Sequence, residues 1–408
     1  MGNDGGNDVS ADETILRVAA KGDGVTASGR HVAFTAPGDV IRADGTIIPG
    51  PSHATPPCRH FALRQAQGCG ACQLQQLDET ALAGFVYERV VNAASGQGLE
   101  PELIAPAYLS PPRSRRRATL HADRSGIGFR AAGSHRIVDM RECHVLHPDL
   151  FALIAPLRTL IAKWPGTRPA ADIHLALADQ GVSVELKGLE LDGLAQTEGL
   201  LAFADTHKLA RLALDQGYGP EMLWEPDPVT VTLSGVAVGL PPDGFMQATA
   251  DGEAALVGAV REWLGGSTTV ADLFAGLGTF AFALAGPGKV LAVEAAQDAY
   301  LACKAAAGRS GKPVHSLHRD LYRNPLRTEE LDRFAAVVLD PPRAGARDQV
   351  AQIAASKVAR VAYVSCNPSS WAKDAATLVA GGYRLAELRP VGQFRWSTHV
   401  ELASLFVR

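Results

Sequence analysis

The most regular alternation of apolar and polar positions lies in the C-terminal half of the chain. Apolar runs rich in β-branched residues occur at 269–274, 290–294, 314–318, 335–340 and 361–366, and connections of helical composition separate several of them. Runs this short must be buried against neighbours, and their alternation with helical segments predicts βαβ units around a parallel sheet. Two closely spaced runs at 384–391 and 400–407 would add a terminal antiparallel pair, so seven strands are expected. Upstream, short runs such as 14–18 and 31–34 are punctuated by Gly22, Gly24, Gly29 and Pro37-Gly38, which predicts a small β barrel. A loop rich in Pro, Gly and Cys at 49–72 leads into a helical pattern over 78–94, with Asp78 or Thr80 as its cap. Residues 1–12, rich in Gly, Asn and Asp, read as a disordered lead, and 145–228 alternates helix-like and strand-like segments without an internal repeat. The expected division is a short barrel with its lead over 1–55, a central α+β domain over 56–228, and an α/β domain over 229–408 on which the helix near 78–95 would pack.

Composition narrows the function classes. At 408 residues, 47% hydrophobic, 20% charged and a net charge of −4, the chain is neither disordered nor coated uniformly with positive charge. No apolar run approaches the length of about 18 residues that a membrane span needs, so a cytoplasmic, monomeric protein is expected. Against this acidic background, eight arginines (113, 115, 116, 117, 124, 130, 136, 141) fall within 113–141, opposed only by Asp123 and Asp139. Such a segment is either a solvated face or a phosphate-binding surface, since guanidinium forks match phosphate oxygens.

The first strand of the C-terminal part ends in Asp272-Leu273-Phe274-Ala275-Gly276-Leu277-Gly278-Thr279. Gly276 and Gly278 would let the backbone turn tightly beside a ligand, and Glu294, at the end of the next strand, could accept hydrogen bonds from ribose hydroxyls. This element fits NAD and S-adenosylmethionine equally. Asp320 and Asp340-Pro341-Pro342-Arg343 end the third and fourth strands, where an open α/β sheet lines its ligand crevice. A dinucleotide enzyme has no use for the Asp-Pro-Pro-Arg turn, whereas methyltransferases acting on planar nitrogen or carbon commonly carry an acid or amide followed by two prolines there. Ser365-Cys366-Asn367-Pro368 ends the fifth strand, and His399-Val400-Glu401 opens the last. Cys303, in an alanine-rich helical segment, reads as core.

Taken together, Asp-Pro-Pro-Arg, Ser-Cys-Asn-Pro and His-Val-Glu resemble the RNA uracil-5-methyltransferase family, which includes tRNA and 23S ribosomal RNA enzymes. Phe245-Met246-Gln247 is similar to that family's Phe-x-Gln element, Arg115-Arg116-Arg117-Ala118 with Gly128-Phe129-Arg130 to its central region, and 12–48 to its TRAM barrel. Thr249 stands where many members have Asn. The resemblance implies a Rossmann-like, seven-stranded methyltransferase domain at the C-terminus and S-adenosylmethionine as cofactor. It implies Cys366 as the nucleophile that adds to carbon 6 of uracil and Glu401 as the base that removes the carbon-5 proton. Gln247, Phe274, Gly276, Gly278, Thr279, Glu294, Asp320 and Asp340 would surround the cofactor or the target ring. An oxidoreductase would leave Cys366 and Glu401 without a task, and a noncatalytic RNA-binding protein would have no need of either.

Cys69-Gly70-Ala71-Cys72 sets two thiols on one turn, with Cys58 and Cys143 as further candidate ligands. Four thiolates can hold zinc or an iron–sulfur cluster, and spacing alone does not choose between them. The resemblance favours a [4Fe-4S] cluster, because ribosomal RNA members carry such a pattern and the tRNA branch generally lacks it. The expected substrate is accordingly RNA, 23S rRNA ahead of tRNA.

Overall fold

Five parallel strands, Val314–His318, Lys289–Glu294, Thr269–Leu273, Ala336–Leu339 and Arg360–Ser365, stand side by side in that spatial order. The structure, a computed structural model, describes residues 12–61, 68–166, 169–286 and 288–408, so the expected disordered lead falls almost wholly outside it. Successive strands step outward from Thr269–Leu273 and then return to its other side at Ala336–Leu339. The order reverses between these two strands, and ligand crevices open at the carboxyl ends beside such a reversal.

The sheet continues with Glu401–Val407 and Arg384–Gly392, which pair antiparallel, and with Leu103–Ile104 and Tyr108–Leu109, both parallel to Arg384–Gly392. It therefore has nine strands rather than the expected seven. The added two are each only two residues long and come from far upstream, so no local periodicity announces them. Ala336–Leu339 is buried along its whole length, with Val337 and Leu339 in the core on one face and Ala336 and Val338 in the core on the other. Burial on both faces is why these runs read as continuously apolar.

Helix Glu79–Ser95 is capped by Asp78, whose carboxylate accepts from the Ala81 N–H at 2.7 Å. Its Leu82, Phe85, Val86, Val90 and Ala94 recur at helical spacing and are buried in the same core as Val337 and Leu339.

The N-terminal strands His31–Val32, Gly24–Thr26, Glu13–Val18, Val40–Ile41 and Ile47–Ile48 form an antiparallel sheet in that order. Its first and last strands do not pair with each other, so the small barrel expected there is a half-barrel. The central part is a six-stranded sheet, Pro220–Trp224, Arg211–Asp215, Gly181–Lys187, Ala170–Ala178, Arg117–Asp123 and Gly126–Gly128, sharing a separate core with helices Pro148–Ala152, Ile154–Ala162 and Leu194–Thr206. The eight arginines do not share one face. Arg113, Arg124, Arg130, Arg136 and Arg141 are exposed, while Arg115, Arg116 and Arg117 turn inward toward the C-terminal sheet.

Candidate active site

A cleft of about 590 Å³ opens at the carboxyl ends of the parallel strands. Gln247, Phe274, Gly276, Glu294, Asp320, Asp340, Cys366 and Glu401 all line it. Gly276 adopts φ of 54°, and a Cβ built on it would meet nothing within 4 Å. Gly278 has a different reason to be glycine. Its φ is 93°, and a Cβ there would lie 2.8 Å from the Phe282 ring and 2.9 Å from Cys303 Sγ. Gly278 caps the short helix Thr279–Leu284, which starts directly after the Gly276-Leu277 turn that lines the cleft.

Glu294 is held at its strand end by three backbone donors: Gly276 N at 2.8 Å, Ala295 N at 2.8 Å and Ala296 N at 2.6 Å. A carboxylate offers about four lone-pair sites, so capacity remains for a hydroxyl of a bound ligand. Asp320 accepts from Tyr322 N at 2.9 Å, and the Tyr322 ring lies 5.4 Å from that of Phe274. Beneath the glycine loop, Asp272 is wholly buried, neither oxygen has a well-formed hydrogen bond among the described residues, and burial pushes its carboxyl up to about 8 against the nearby Ala281 N–H.

Antiparallel pairing sets Leu402 opposite Ser365. The last strand therefore begins where the fifth parallel strand ends, and Glu401 and Cys366 share one edge of the cleft. Cys366 is half-buried, and its thiol is pushed up to about 11 by burial and then by repulsion from Glu401 and Asp340, with Arg343 opposing. Burial pushes Glu401, 3% exposed, up to about 7, against a hydrogen bond from Gln393 and the charge of Arg117. Burial, with the charges of Glu401 and Asp272, also holds Asp340 well above the usual carboxylate range, although it accepts from Gln247 Nε2 at 3.1 Å. The two turns of the site are laced together, since Asn367 Nδ2 and Ser370 Oγ each donate to Arg343 O at 2.9 Å. A thiol and a carboxyl that titrates near neutrality, side by side in a cleft, can act as nucleophile and proton acceptor.

Two further groups face this chemistry without having been read as part of it. Arg117, read only within the basic segment, places its guanidinium 4.5 Å over the Phe245 ring and acts electrostatically on Glu401 and Cys366. Gln393 donates to Gln247 Oε1 at 2.8 Å, and its one sequence signal is an amide just past an apolar strand.

Away from the cleft, Cys58, Cys69, Cys72 and Cys143 line one small cavity, all as free thiols. Their turn is anchored by Gly70, whose N–H donates to Arg130 O at 2.9 Å and where a Cβ would come within 2.8 Å of that oxygen. Burial raises all four thiols, Cys69 to about 11. Four thiols around one cavity are a donor set that fits zinc and an iron–sulfur cluster alike. His174, Glu185 and Asp243 do bring ligand atoms within 4.8 Å, but the Lys187 ammonium, 3.1 Å from Glu185 and 3.5 Å from Asp243, already stands where a cation would.

The profile of tRNA (uracil-5-)-methyltransferases matches residues 318–408. An uncharacterized RNA methyltransferase of Zymomonas mobilis is 45% identical over 97% of this chain and 99% of its own. The 23S rRNA (uracil(1939)-C(5))-methyltransferase RlmD of Chromohalobacter salexigens is 32% identical over 89% of this chain and 78% of its own. Among solved structures, the Pyrococcus abyssi tRNA (uracil-54, C5)-methyltransferase in complex with S-adenosyl-L-homocysteine has the same fold, with a TM-score of 0.76 at 23% identity, covering 97% of this chain and 99% of that one.

Proposed function

The chain belongs to the S-adenosylmethionine-dependent RNA uracil-5-methyltransferases, and on that premise we propose that it methylates carbon 5 of a uridine in 23S rRNA through a covalent adduct on Cys366. The observation that carries this reading is the adjacency of Cys366 and Glu401 on one edge of the cleft. Carbon 5 of uracil is a weak nucleophile. Addition of the Cys366 thiolate forms a sulfur–carbon 6 bond and moves the ring's double-bond electrons into an enolate, which is nucleophilic at carbon 5. S-adenosylmethionine supplies the methyl group to that carbon. Glu401 then takes the carbon-5 proton, the electron pair re-forms the 5,6 double bond, and the sulfur–carbon bond breaks to release the thiolate. A stacked base would not expose carbon 6 to the thiol, so the uridine has to be flipped into the cleft. Gln247, Phe274, Gly276, Gly278, Thr279, Glu294, Asp320 and Asp340 would surround cofactor and ring, with Glu294 toward the ribose hydroxyls.

Support for a ribosomal substrate comes from the likeness to the 23S rRNA enzyme and from the four clustered cysteines. Cys58, Cys69, Cys72 and Cys143 would ligate a [4Fe-4S] cluster, with zinc as the alternative occupant of the same four thiolates. Glu401→Gln tests the mechanism. It should accumulate a covalent protein–RNA species, seen as a retarded band in denaturing electrophoresis, and release of methylated RNA at the usual rate would refute the assignment. Offering the enzyme 23S rRNA and tRNA transcripts with labelled cofactor tests the substrate; label in tRNA alone would favour the tRNA reading.

A further inference from the structure

A buried chain of hydrogen bonds, which no sequence motif connects, runs from the start of helix Ala250–Leu264 to the carboxyls of the site. The backbone N–H of Thr249 donates to Gln393 Oε1 at 3.4 Å, Gln393 Nε2 to Gln247 Oε1 at 2.8 Å, and Gln247 Nε2 to Asp340 Oδ2 at 3.1 Å. Thr249 and Gln393 are each 1% exposed and Gln247 3%. The first member sets the direction of the whole chain. A backbone amide can only donate, so Gln393 must present its oxygen to Thr249 and its nitrogen to Gln247. Gln247 must then present its oxygen to Gln393, which leaves its nitrogen for Asp340. Turning either amide over would set donor against donor or acceptor against acceptor where water does not reach.

Gln393 is also held sterically, since Gly252 backs onto it so closely that a Cβ there would lie 2.7 Å from Gln393 Cβ. Pairing of Val391 with Glu401 in the last hairpin brings Gln393 beside Glu401, where its amide nitrogen favours the ionised carboxylate. Thr249 in turn caps the helix by accepting from Gly252 N at 3.0 Å and shares a 2.9 Å hydrogen bond with Ser110 Oγ. The donor that starts the chain therefore sits on a fixed helix end.

We propose that Gln393 is a positioning residue for the reaction: it relays the polarity of the Thr249 N–H so that Asp340 and Glu401 both face donors and both stand ready as acceptors. This rests on the reading of Glu401 as the base. Replacing Gln393 by Leu removes the donor from Glu401 and frees the Gln247 amide to turn. The carboxylate of Glu401 loses support, and a base must be ionised to act. The acidic limb of the pH profile for release of methylated RNA from the adduct should therefore move to higher pH by about one unit. Gln393→Glu keeps the shape of the side chain but offers an acceptor where donors are needed, and it should move the limb the same way.

A limb that does not move, or moves to lower pH, in either variant with wild-type melting behaviour overturns the proposal. If the leucine variant does not fold, the shape-preserving glutamate variant decides. Glu401→Gln separates the two readings. Normal product release in Glu401→Gln defeats the base itself, whereas a trapped adduct there, with an unmoved limb in the Gln393 variants, defeats only the relay.

Discussion

Arg116 Nη2 lies 2.6 Å from Glu253 Oε2 across the seam between the central sheet and helix Ala250–Leu264, with both side chains nearly closed to water. Arg116 Nε also donates to Gln247 O at 3.0 Å, so the pair holds the segment that carries Gln247 into the cleft. Burial keeps the Glu253 carboxyl above its ordinary range despite the guanidinium, so desolvation outweighs pairing. Arg116→Met should accordingly destabilise the protein by about 3 kcal/mol, and adding Glu253→Leu should restore most of the loss. Denaturant unfolding of the two single variants and the double variant checks this; additive losses would count against it.

Cys366→Ala should abolish methyl transfer and leave the melting temperature near that of the wild type, because the thiol faces an open cleft and its removal encloses no cavity. Raised by burial and by two neighbouring carboxyls to about 11, the thiol of the free protein is mostly protonated at neutral pH. Its alkylation rate, followed by mass spectrometry of the Cys366 peptide, should climb about tenfold per pH unit above neutrality. A plateau near pH 7 would mean that an unrecognised group activates it.

The cysteine turn reaches the catalytic edge directly. Gln73 N and Leu74 N both donate to Trp396 O, at 2.7 and 3.0 Å, and Thr398 N donates to Gln73 Oε1 at 3.4 Å. Cys72→Ser, which removes one ligand of the proposed cluster, should lower visible absorbance and speed amide hydrogen exchange over 394–399. Unchanged exchange after loss of absorbance would show that the turn keeps its grip without the cluster.

Asp272 makes stability depend on pH in a defined direction. Its carboxyl is raised to about 8 in the folded protein, so between the unfolded value near 4 and that point the native state keeps a proton the unfolded chain has lost. Stability must fall as pH rises through this window and level off above it. Asp272→Asn removes the effect, so its gain in melting temperature over wild type should grow from about pH 5 to about pH 8. An equal gain at both ends would contradict the assignment.

The parallel strands and the turns at their ends were legible because each is written in consecutive residues: a short apolar run, then glycine, acid-proline-proline or Ser-Cys-Asn-Pro. Cys366 and Glu401 could be named as partners from motif order, but their adjacency comes from the antiparallel register between Ser365 and Leu402. Thr249 illustrates the limit: from its neighbours it is only a substitution for Asn, whereas in the fold it is a helix cap whose N–H orients Gln393. Sequence by itself determined the class of the C-terminal domain, the nucleophile and base candidates and the four thiols, since local periodicity and motif chemistry are carried by covalent neighbours. Tertiary structure alone decided the two added strands, the pairing of Arg116 with Glu253 and the inward turn of Arg115 to Arg117. Each of those depends on which distant backbone or side chain completes a hydrogen bond or fills a gap, and no stretch of consecutive residues records that.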